Sequence, residues 1–275
     1  MTSVLVCGLG TMGRPIAQRL RAAGHRVAGH DPLPAALAAW ADHGGQAIDA
    51  TALPAAVHAA DVVITCVTDE AALRALWAGE AADGAPLAAH LRAGTLVVDH
   101  TTTGLALARA LAADMAARGV RWLDAPLSGG VAAAEAGGLL ALVGGGDEAL
   151  HAALPLLTTY CARVQPLGPA GCGQAGKLAN QLAIAGTNLG LATAAAFAQA
   201  QGLDVAAWLQ ALAGGSAASA QRDQHAGLLA ERPEAGAATL FPWLDKDLRL
   251  AQAAASQPLP LAEAVQRLAE AFRPV

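Results

Sequence analysis

The sequence predicts an α/β fold: a Rossmann-type doubly wound, mainly parallel sheet followed by an all-α domain. Three observations carry this. Short apolar runs of strand type alternate with helical segments through the first part of the chain, a pattern that implies right-handed crossovers and a mainly parallel sheet. The first strand runs directly into a turn of spaced glycines, GLGTMG, beginning at Gly8. Far downstream, GCGQAGKLANQLAIAGTNLGLATAAAFAQ (Gly171 to Gln199) has no charged side chain between Lys177 and Asp204, and its apolar residues fall on more than one helical face. A helix that is apolar nearly all round is a buried one. The expected domains are 1–164, binding a dinucleotide, and 165–275, all helical and built on that long central helix.

Taken in order, Ser3 to Cys7 is a strand, Gly8-Leu9-Gly10-Thr11-Met12-Gly13 a turn, and about Met12 to Ala23 a helix with Ile16, Ala17 and Leu20 on one face. Gly24 ends it, and a second strand, Arg26 to His30, leads to Asp31. In such a unit the first glycine permits the tight turn, the second lets a pyrophosphate approach the backbone, and the third lets helix and strand pack closely. Asp31 lies 18 residues after Gly13, near the ~20 expected of the acid that receives the adenosine ribose hydroxyls. A carboxylate there repels a 2′-phosphate, and Pro32-Leu33-Pro34 supplies no arginine to hold one, so NAD is expected over NADP.

The alternation continues with strands at Gln46–Asp49, Asp61–Val67, Thr95–Asp99, Val120–Asp124 and Leu139–Val143, separated by helical segments. Ligands of such sheets sit beyond the carboxyl ends of the strands. The polar groups there are Thr68, Thr101, Thr102 and Ser128. Each threonine alone reads as a helix N-cap; their shared position raises the expectation that at least one faces the nicotinamide. Ser128-Gly129-Gly130 exposes a hydroxyl and two backbone N–H groups, a nest suited to a carboxylate or oxyanion, although alone it reads as an ordinary turn. Lys177 and Asn180 stand three apart and so share a helical face; a capping lysine on a surface turn is the bland alternative. Beyond Gln199, Val205–Leu212, Leu244–Ala255 and Leu261–Phe272 read as helices, with loops at Gly214–Ser219 and around Arg232 to Gly236.

Composition bounds the function. The 275 residues are 55% apolar and 14% charged, enough to bury a sizeable core. A net charge of −5 argues against nonspecific nucleic-acid binding and against a basic membrane-facing surface. Cys7, Cys66, Cys161 and Cys172 are scattered without ligand spacing, so free thiols in a reducing compartment and no metal are expected. The strand pattern begins by residue 4, so no signal peptide is expected. Asn180, Gln181, Asn188 and Gln199 argue that the long helix does not cross a membrane. A cytoplasmic protein follows, and so apolar a helix points to a homodimer or homotetramer.

Four separated motifs then match one known family in order: GLGTMGRPIAQRL at Gly8, DAPLSGGVAAAEAGGL at Asp124, GCGQAGKLANQ at Gly171 and KDLRLA at Lys246. On these the chain resembles the β-hydroxyacid dehydrogenases, which include 3-hydroxyisobutyrate dehydrogenase and tartronate semialdehyde reductase and are related to 6-phosphogluconate dehydrogenase. The resemblance implies a small carboxylate substrate, with Lys177 as proton donor and acceptor and Asn180 beside it. It implies that Ser128, Gly129 and Gly130 hold the substrate carboxylate, that Val67, Thr68, Thr102 and Lys246 contact the cofactor, and that Asp247 fixes the geometry around Lys246. Ala132, Leu105 and Trp243 depart from the family pattern, where a glycine, a proline and a smaller aliphatic residue are usual. They leave the chemistry intact and bear on the substrate.

The chemistry of an alcohol makes the role of the lysine concrete. A C–H hydride leaves readily only as the hydroxyl loses its proton, so the amine must be neutral to accept it or charged to return it. A lysine titrates near ~10.4 when exposed, and apolar burial lowers that. An imine reductase on the same scaffold is the alternative activity, against which the lysine speaks. A non-catalytic dinucleotide-binding protein is a further one, which would tolerate the lysine's loss.

Overall fold

β1 (Ser3–Cys7), β2 (Arg26–His30), β3 (Gln46–Ala47), β4 (Val62–Thr65), β5 (Leu96–Asp99), β6 (Arg121–Asp124), β7 (Leu127–Ser128), β8 (Leu139–Gly145) and β9 (Cys161–Gly168) form one sheet in the order β3-β2-β1-β4-β5-β6-β8-β7, with β9 paired to β8. Every pair from β3 to β6 is parallel. β8 runs antiparallel to β6 and β7 and parallel to β9, so the sheet is mixed at that end. This is the doubly wound mainly parallel fold, seen in a computed structural model that describes residues 1–79, 84–233 and 242–271, without the side chains of 242, 243 and 268–271.

Burial on both faces explains why the strands read as continuous apolar runs. Along β1, Val4 and Val6 enter one core with Ile16, Leu20, Ile64 and Leu123, whereas Leu5 and Cys7 enter the other with Val57, Val63, Val97 and Met115. Period-two alternation sends successive side chains to opposite faces, and helices cover both: α1 (Gly13–Ala22), α2 (Pro34–Asp42), α3 (Leu53–Ala59), α4 (Glu70–Ala78), α5 (Leu105–Ala117), α6 (Gly130–Ala136) and α7 (Asp147–Leu157). Trp40, from α2, and Tyr160, just after α7, are among the largest fully buried side chains.

The long helix is α8 (Cys172–Ala200), followed by α9 (Val205–Ala211), α10 (Ala220–Glu231), α11 (Pro242–Ala254) and α12 (Pro260–Ala271). Packing divides the chain into Met1–Lys177 and Leu178–Val275, so the division falls inside α8. β9 itself crosses the 164/165 boundary expected from sequence. In the second unit Ala185, Ala192 and Ala195 of α8 share a core with Leu209, Leu229, Leu244, Leu248 and Val265. By length and composition α8 could cross a membrane, and 39% of its most apolar window is buried in the protein.

The elements expected from sequence omit β7, α6, α7, β9 and α10, although the buried Ala149, Ala153, Leu156 and Leu157 of α7 do fall at helical spacing. β7 is two residues long, β9 is mostly exposed and carries no apolar alternation, and α10 (AQRDQHAGLLAE) is polar in its first half and capped by Ser219, whose Oγ accepts from the Arg222 N–H. The threonines beyond the strands are not the caps either: α4 is capped by Asp69, whose carboxylate accepts from the Ala72 N–H, and the cap position of α5 is Gly104. Among the sequence expectations, Glu234 and Gly236 of the second loop, Phe272 and the side chain of Trp243 lie outside the described residues.

The three glycines of the first turn separate by environment. Gly8 has φ +98°, and a Cβ there would collide with the Cys66 carbonyl; a Cβ on Gly13 would collide with the Gly8 carbonyl; a Cβ on Gly10 would meet nothing within 4 Å. Gly13→Ala is therefore expected to lose about 1–3 kcal/mol in urea unfolding, the usual cost of overpacking. Gly10→Ala should stay within about 0.5 kcal/mol of the parent in stability while weakening NADH binding in a fluorescence titration.

Candidate active site

A cavity of about 670 Å³ opens beyond the carboxyl ends of β1, β2 and β4. Gly8, Gly10, Thr11, Met12, Asp31, Val67 and Thr68 line it, with Leu53, Leu76 and Leu87 forming an apolar end. Leu9 instead turns its side chain into the core and donates its backbone N–H to Asp31 Oδ2 at 2.8 Å. Asp31 Oδ1 accepts from the Leu33 N–H at 2.9 Å, so the carboxylate is pinned by the two turns that flank the cavity. The open space over Gly10 and the fixed acid at the end of β2 fit a dinucleotide: a pyrophosphate can lie against the Gly10 backbone and a ribose can reach Asp31. Cys7 and Cys66 also line the cavity, and burial pushes both thiols up to about 12, which favours the protonated form.

Buried polar groups tie the next strand ends together. Thr65 Oγ1 donates to Asp99 Oδ1 at 2.7 Å, the Thr101 N–H reaches the same oxygen, and the Val67 N–H donates to Thr101 Oγ1 at 3.2 Å. This lattice sets the loops that carry Val67, Thr68 and Thr102. Val67 and Thr102 are half-buried, and Thr68 is exposed. His100 Nδ1 lies 2.6 Å from the Ala125 carbonyl and its Nε2 3.0 Å from the Tyr160 hydroxyl. The carbonyl can only accept, so Nδ1 carries the proton and Nε2 accepts from the tyrosine.

Ser128 ends β7, held by its pairing with Leu140 of β8, and Gly129 and Gly130 follow with φ of +131° and +75°. A Cβ on Gly129 would sit 2.8 Å from Ala133 Cβ, whereas Gly130 faces open space. Lys177, half-buried in the second turn of α8, donates from Nζ to the Leu127 carbonyl at 2.8 Å. The amine is thus anchored one residue from Ser128 and is no capping lysine on a surface turn.

In the second unit, half-buried Asn180 donates from Nδ2 to Gln181 Oε1 at 3.3 Å, Gln181 Nε2 donates to Asp247 Oδ2 at 2.7 Å, and Lys246 Nζ pairs with Asp247 Oδ1 at 3.0 Å. Ala132 is exposed on α6 and Leu105 is the first residue of α5, a position that proline also favours. Among the described residues no group of His, Cys, Asp and Glu side chains could hold a metal.

Sequence reasoning did not single out Asp99, His100 or Gln174. The available signal was a polar residue closing an apolar strand, LVVD for Asp99, and an amide among glycines at the head of an apolar helix for Gln174.

The parallel sheet, the glycine turn and the cavity beyond its strand ends define a dinucleotide-binding oxidoreductase scaffold with a helical domain after it. Residues 3–168 match the model of the NAD binding domain of 6-phosphogluconate dehydrogenase, and residues 171–274 match that of NAD-binding of NADP-dependent 3-hydroxyisobutyrate dehydrogenase. An NAD-dependent L-serine dehydrogenase of Pseudomonas aeruginosa is 34% identical over 93% of this chain and 86% of its own. A probable 3-hydroxyisobutyrate dehydrogenase of Mycobacterium bovis is 36% identical over 78% of this chain and 70% of its own. The solved Mycobacterium tuberculosis 3-hydroxyisobutyrate dehydrogenase with L-serine superposes with a TM-score of 0.83 at 31% identity, covering 99% of this chain and 94% of that one. A structure described as Psf3 in complex with NADP+ and 2-OPP gives a TM-score of 0.85 at 29% identity, over 98% and 94% of the two chains. The chain belongs to the β-hydroxyacid dehydrogenase family of oxidoreductases, of the 3-hydroxyisobutyrate dehydrogenase type, and carries its NAD(P)-binding domains.

Two buried groups give a pH signature. Burial pushes the Asp99 carboxyl from 3.8 up to about 7, against the hydrogen bonds from Thr65 and Thr101. Burial pulls His100 from 6.5 down to about 4. Between those limits folded Asp99 keeps a proton that the unfolded chain has released, so its contribution to stability falls as pH rises. Folded His100 lacks a proton that the unfolded chain holds, so its contribution rises with pH. The two oppose each other from about pH 4 to 6.5. Asp99→Asn leaves the histidine uncompensated. The stability difference between variant and parent should shift in the variant's favour by up to about 1.4 kcal/mol per pH unit across that window, read by urea unfolding at pH 4.5, 5.5 and 6.5.

Proposed function

We propose that this protein is an NAD-dependent dehydrogenase of a small β-hydroxyacid, 3-hydroxyisobutyrate or a related compound, with semialdehyde reduction as the reverse reaction. The observation that carries the reading is the 2.8 Å hydrogen bond from Lys177 Nζ to the Leu127 carbonyl, which holds the amine beside the Ser128-Gly129-Gly130 turn. One N–H is committed to that carbonyl in either protonation state. A neutral amine then still has its lone pair to take the hydroxyl proton, and an ammonium still has a proton to return. Help of this kind is worth about 10²–10⁴-fold. Ser128 and the N–H groups of Gly129 and Gly130 hold the substrate carboxylate, so that the hydroxyl-bearing carbon two bonds away is turned toward the amine. Asn180, on the same face of α8 three residues on, steadies the hydroxyl. A bound nicotinamide supplies the hydride acceptor.

The acids in the relatives' names, 3-hydroxyisobutyrate and L-serine, share a carboxylate and a hydroxyl on the β-carbon. That shared pattern is the substrate class we assign. Gly10, Thr11 and Met12 take the pyrophosphate in the turn that Gly8, Leu9 and Gly13 shape, Asp31 takes the adenosine ribose, and Val67, Thr68 and Thr102 take the nicotinamide half. NAD is preferred over NADP because the pinned Asp31 carboxylate repels a 2′-phosphate. The protein works in the cytoplasm as a homodimer or homotetramer.

Lys177→Ala is expected to lower kcat by about 10²–10⁴-fold with the Kd for NADH within twofold of the parent, measured by NAD reduction over 3-hydroxyisobutyrate, L-serine and glycerate and by fluorescence titration. Retention of most activity ends the assignment. NADH should bind more tightly than NADPH, and Asp31→Ser should narrow that gap; tighter NADPH binding by the parent ends the cofactor assignment.

A further inference from the structure

Asp124 closes β6 and its side chain is fully buried. Both carboxylate oxygens are spent on the head of α8: Oδ1 accepts from the Gly171 N–H at 2.8 Å and Oδ2 from the Gln174 N–H at 3.0 Å. The N–H of Gly173 is directed at the same group. A helix begins with unpaired N–H groups and a positive dipole end, so a carboxylate from another element is a strong cap there. This cap comes from 47 residues upstream, and it ties the helix to the sheet where a local Ser or Asp cap could not.

The close approach is built in. A Cβ on Gly144 would lie 2.7 Å from both Asp124 Oδ1 and the Gly173 nitrogen, and one on Gly173 would lie 2.6 Å from the Leu142 carbonyl and collide with the Asp124 carbonyl. Gln174 adds a second tie from the same helical turn. Its Oε1 accepts from the Thr103 N–H at 3.0 Å and its Nε2 donates to the Thr101 carbonyl at 2.7 Å. Lys177 sits one turn further along, and Leu127, which receives its amine, is three residues after Asp124. One short segment, Asp124 to Ser128, thus fixes both the start of the helix and the place where its lysine lands.

We propose that Asp124, assisted by Gln174, is the positioning residue for the acid/base amine: it sets the axial and rotational register of α8 so that Lys177 Nζ stays on the Leu127 carbonyl beside the substrate turn. The proposal rests on the acid/base reading of Lys177 given above. Asn cannot replace Asp124, because its Nδ2 would face a backbone N–H, donor against donor. A misplacement of the amine by about an ångström is enough to cost ~100-fold in turnover.

The test is a double-mutant cycle on the full-length protein, with NAD and whichever of L-serine or 3-hydroxyisobutyrate the parent turns over faster. Asp124→Asn is expected to lower kcat by about 100-fold and leave the Kd for NADH within threefold. Adding Asp124→Asn to Lys177→Ala should then lower the residual rate by less than threefold, since no amine remains to be placed. Independent, multiplying effects in the double variant would overturn the proposal, and so would an Asp124→Asn enzyme with near-parental kcat. Lys177→Ala measured alone separates the two claims: if it is active the acid/base reading fails, and if it is inactive while Asp124→Asn is normal only the positioning role fails. Should Asp124→Asn not fold, Gln174→Met carries the same test. Its backbone N–H still reaches Asp124, and a drop in kcat of about tenfold, absent in the Lys177→Ala background, is expected; additive effects would overturn the proposal.

Discussion

Polar groups that close the parallel strands are buried here, and their hydrogen bonds are made inside the protein, with Asp99 Oδ2 left without a partner among the described residues. A buried polar group left unpaired costs several times what a paired one contributes. Asp99 and Asp124 are both fully buried at the ends of neighbouring, register-paired strands, with Asp99 opposite Asp124. The first satisfies Thr65 and Thr101, and the second satisfies the start of α8. The candidate site is positioned by these requirements more than by the apolar core, because apolar packing is tolerant of direction and a hydrogen-bonded carboxylate is not.

The same lattice links the two halves of the proposed chemistry within Met1–Lys177. The loop after β5 is joined to the loop after β4 through Thr101 and to α8 through Gln174. His100 joins it to the end of β6 through the Ala125 carbonyl and to Tyr160 after α7, in an edge-to-face contact with ring centroids 5.6 Å apart. Val67, proposed to contact the nicotinamide, and the turn of α8 that carries Lys177 therefore belong to one hydrogen-bonded framework, which suits a reaction that needs both in register. Burial raises Asp99 to about 7 and lowers His100 to about 4, so both stay uncharged inside that framework across the mildly acidic range.

Legibility in the sequence followed the range of the interaction. The Rossmann-type sheet was readable because strands buried on both faces are continuous apolar runs, and GLGTMG because each glycine answers a local steric demand: a positive φ at Gly8, an open approach at Gly10 and helix contact at Gly13. α10 and β9 were not readable, since one is polar over its first half with its leucines adjacent and the other is largely exposed, and neither prints a period. Lys177 stood out because a charge in an apolar helix is costly unless it has a task.

The sequence by itself determined the fold class, the dinucleotide turn, the acid at the end of β2 and the lysine of the long helix, all of which are set by neighbours close along the chain. Only the tertiary structure decided that Asp124 reaches 47 residues ahead to cap α8, that Gln174 spans back to Thr101 and Thr103, and that the Lys177 amine rests on Leu127. Those contacts join side chains to backbone atoms of distant segments. A backbone N–H or carbonyl looks alike in every residue but proline, so its choice of partner is marked in the sequence only indirectly, as at Gly144 and Gly173, where a Cβ would block the approach.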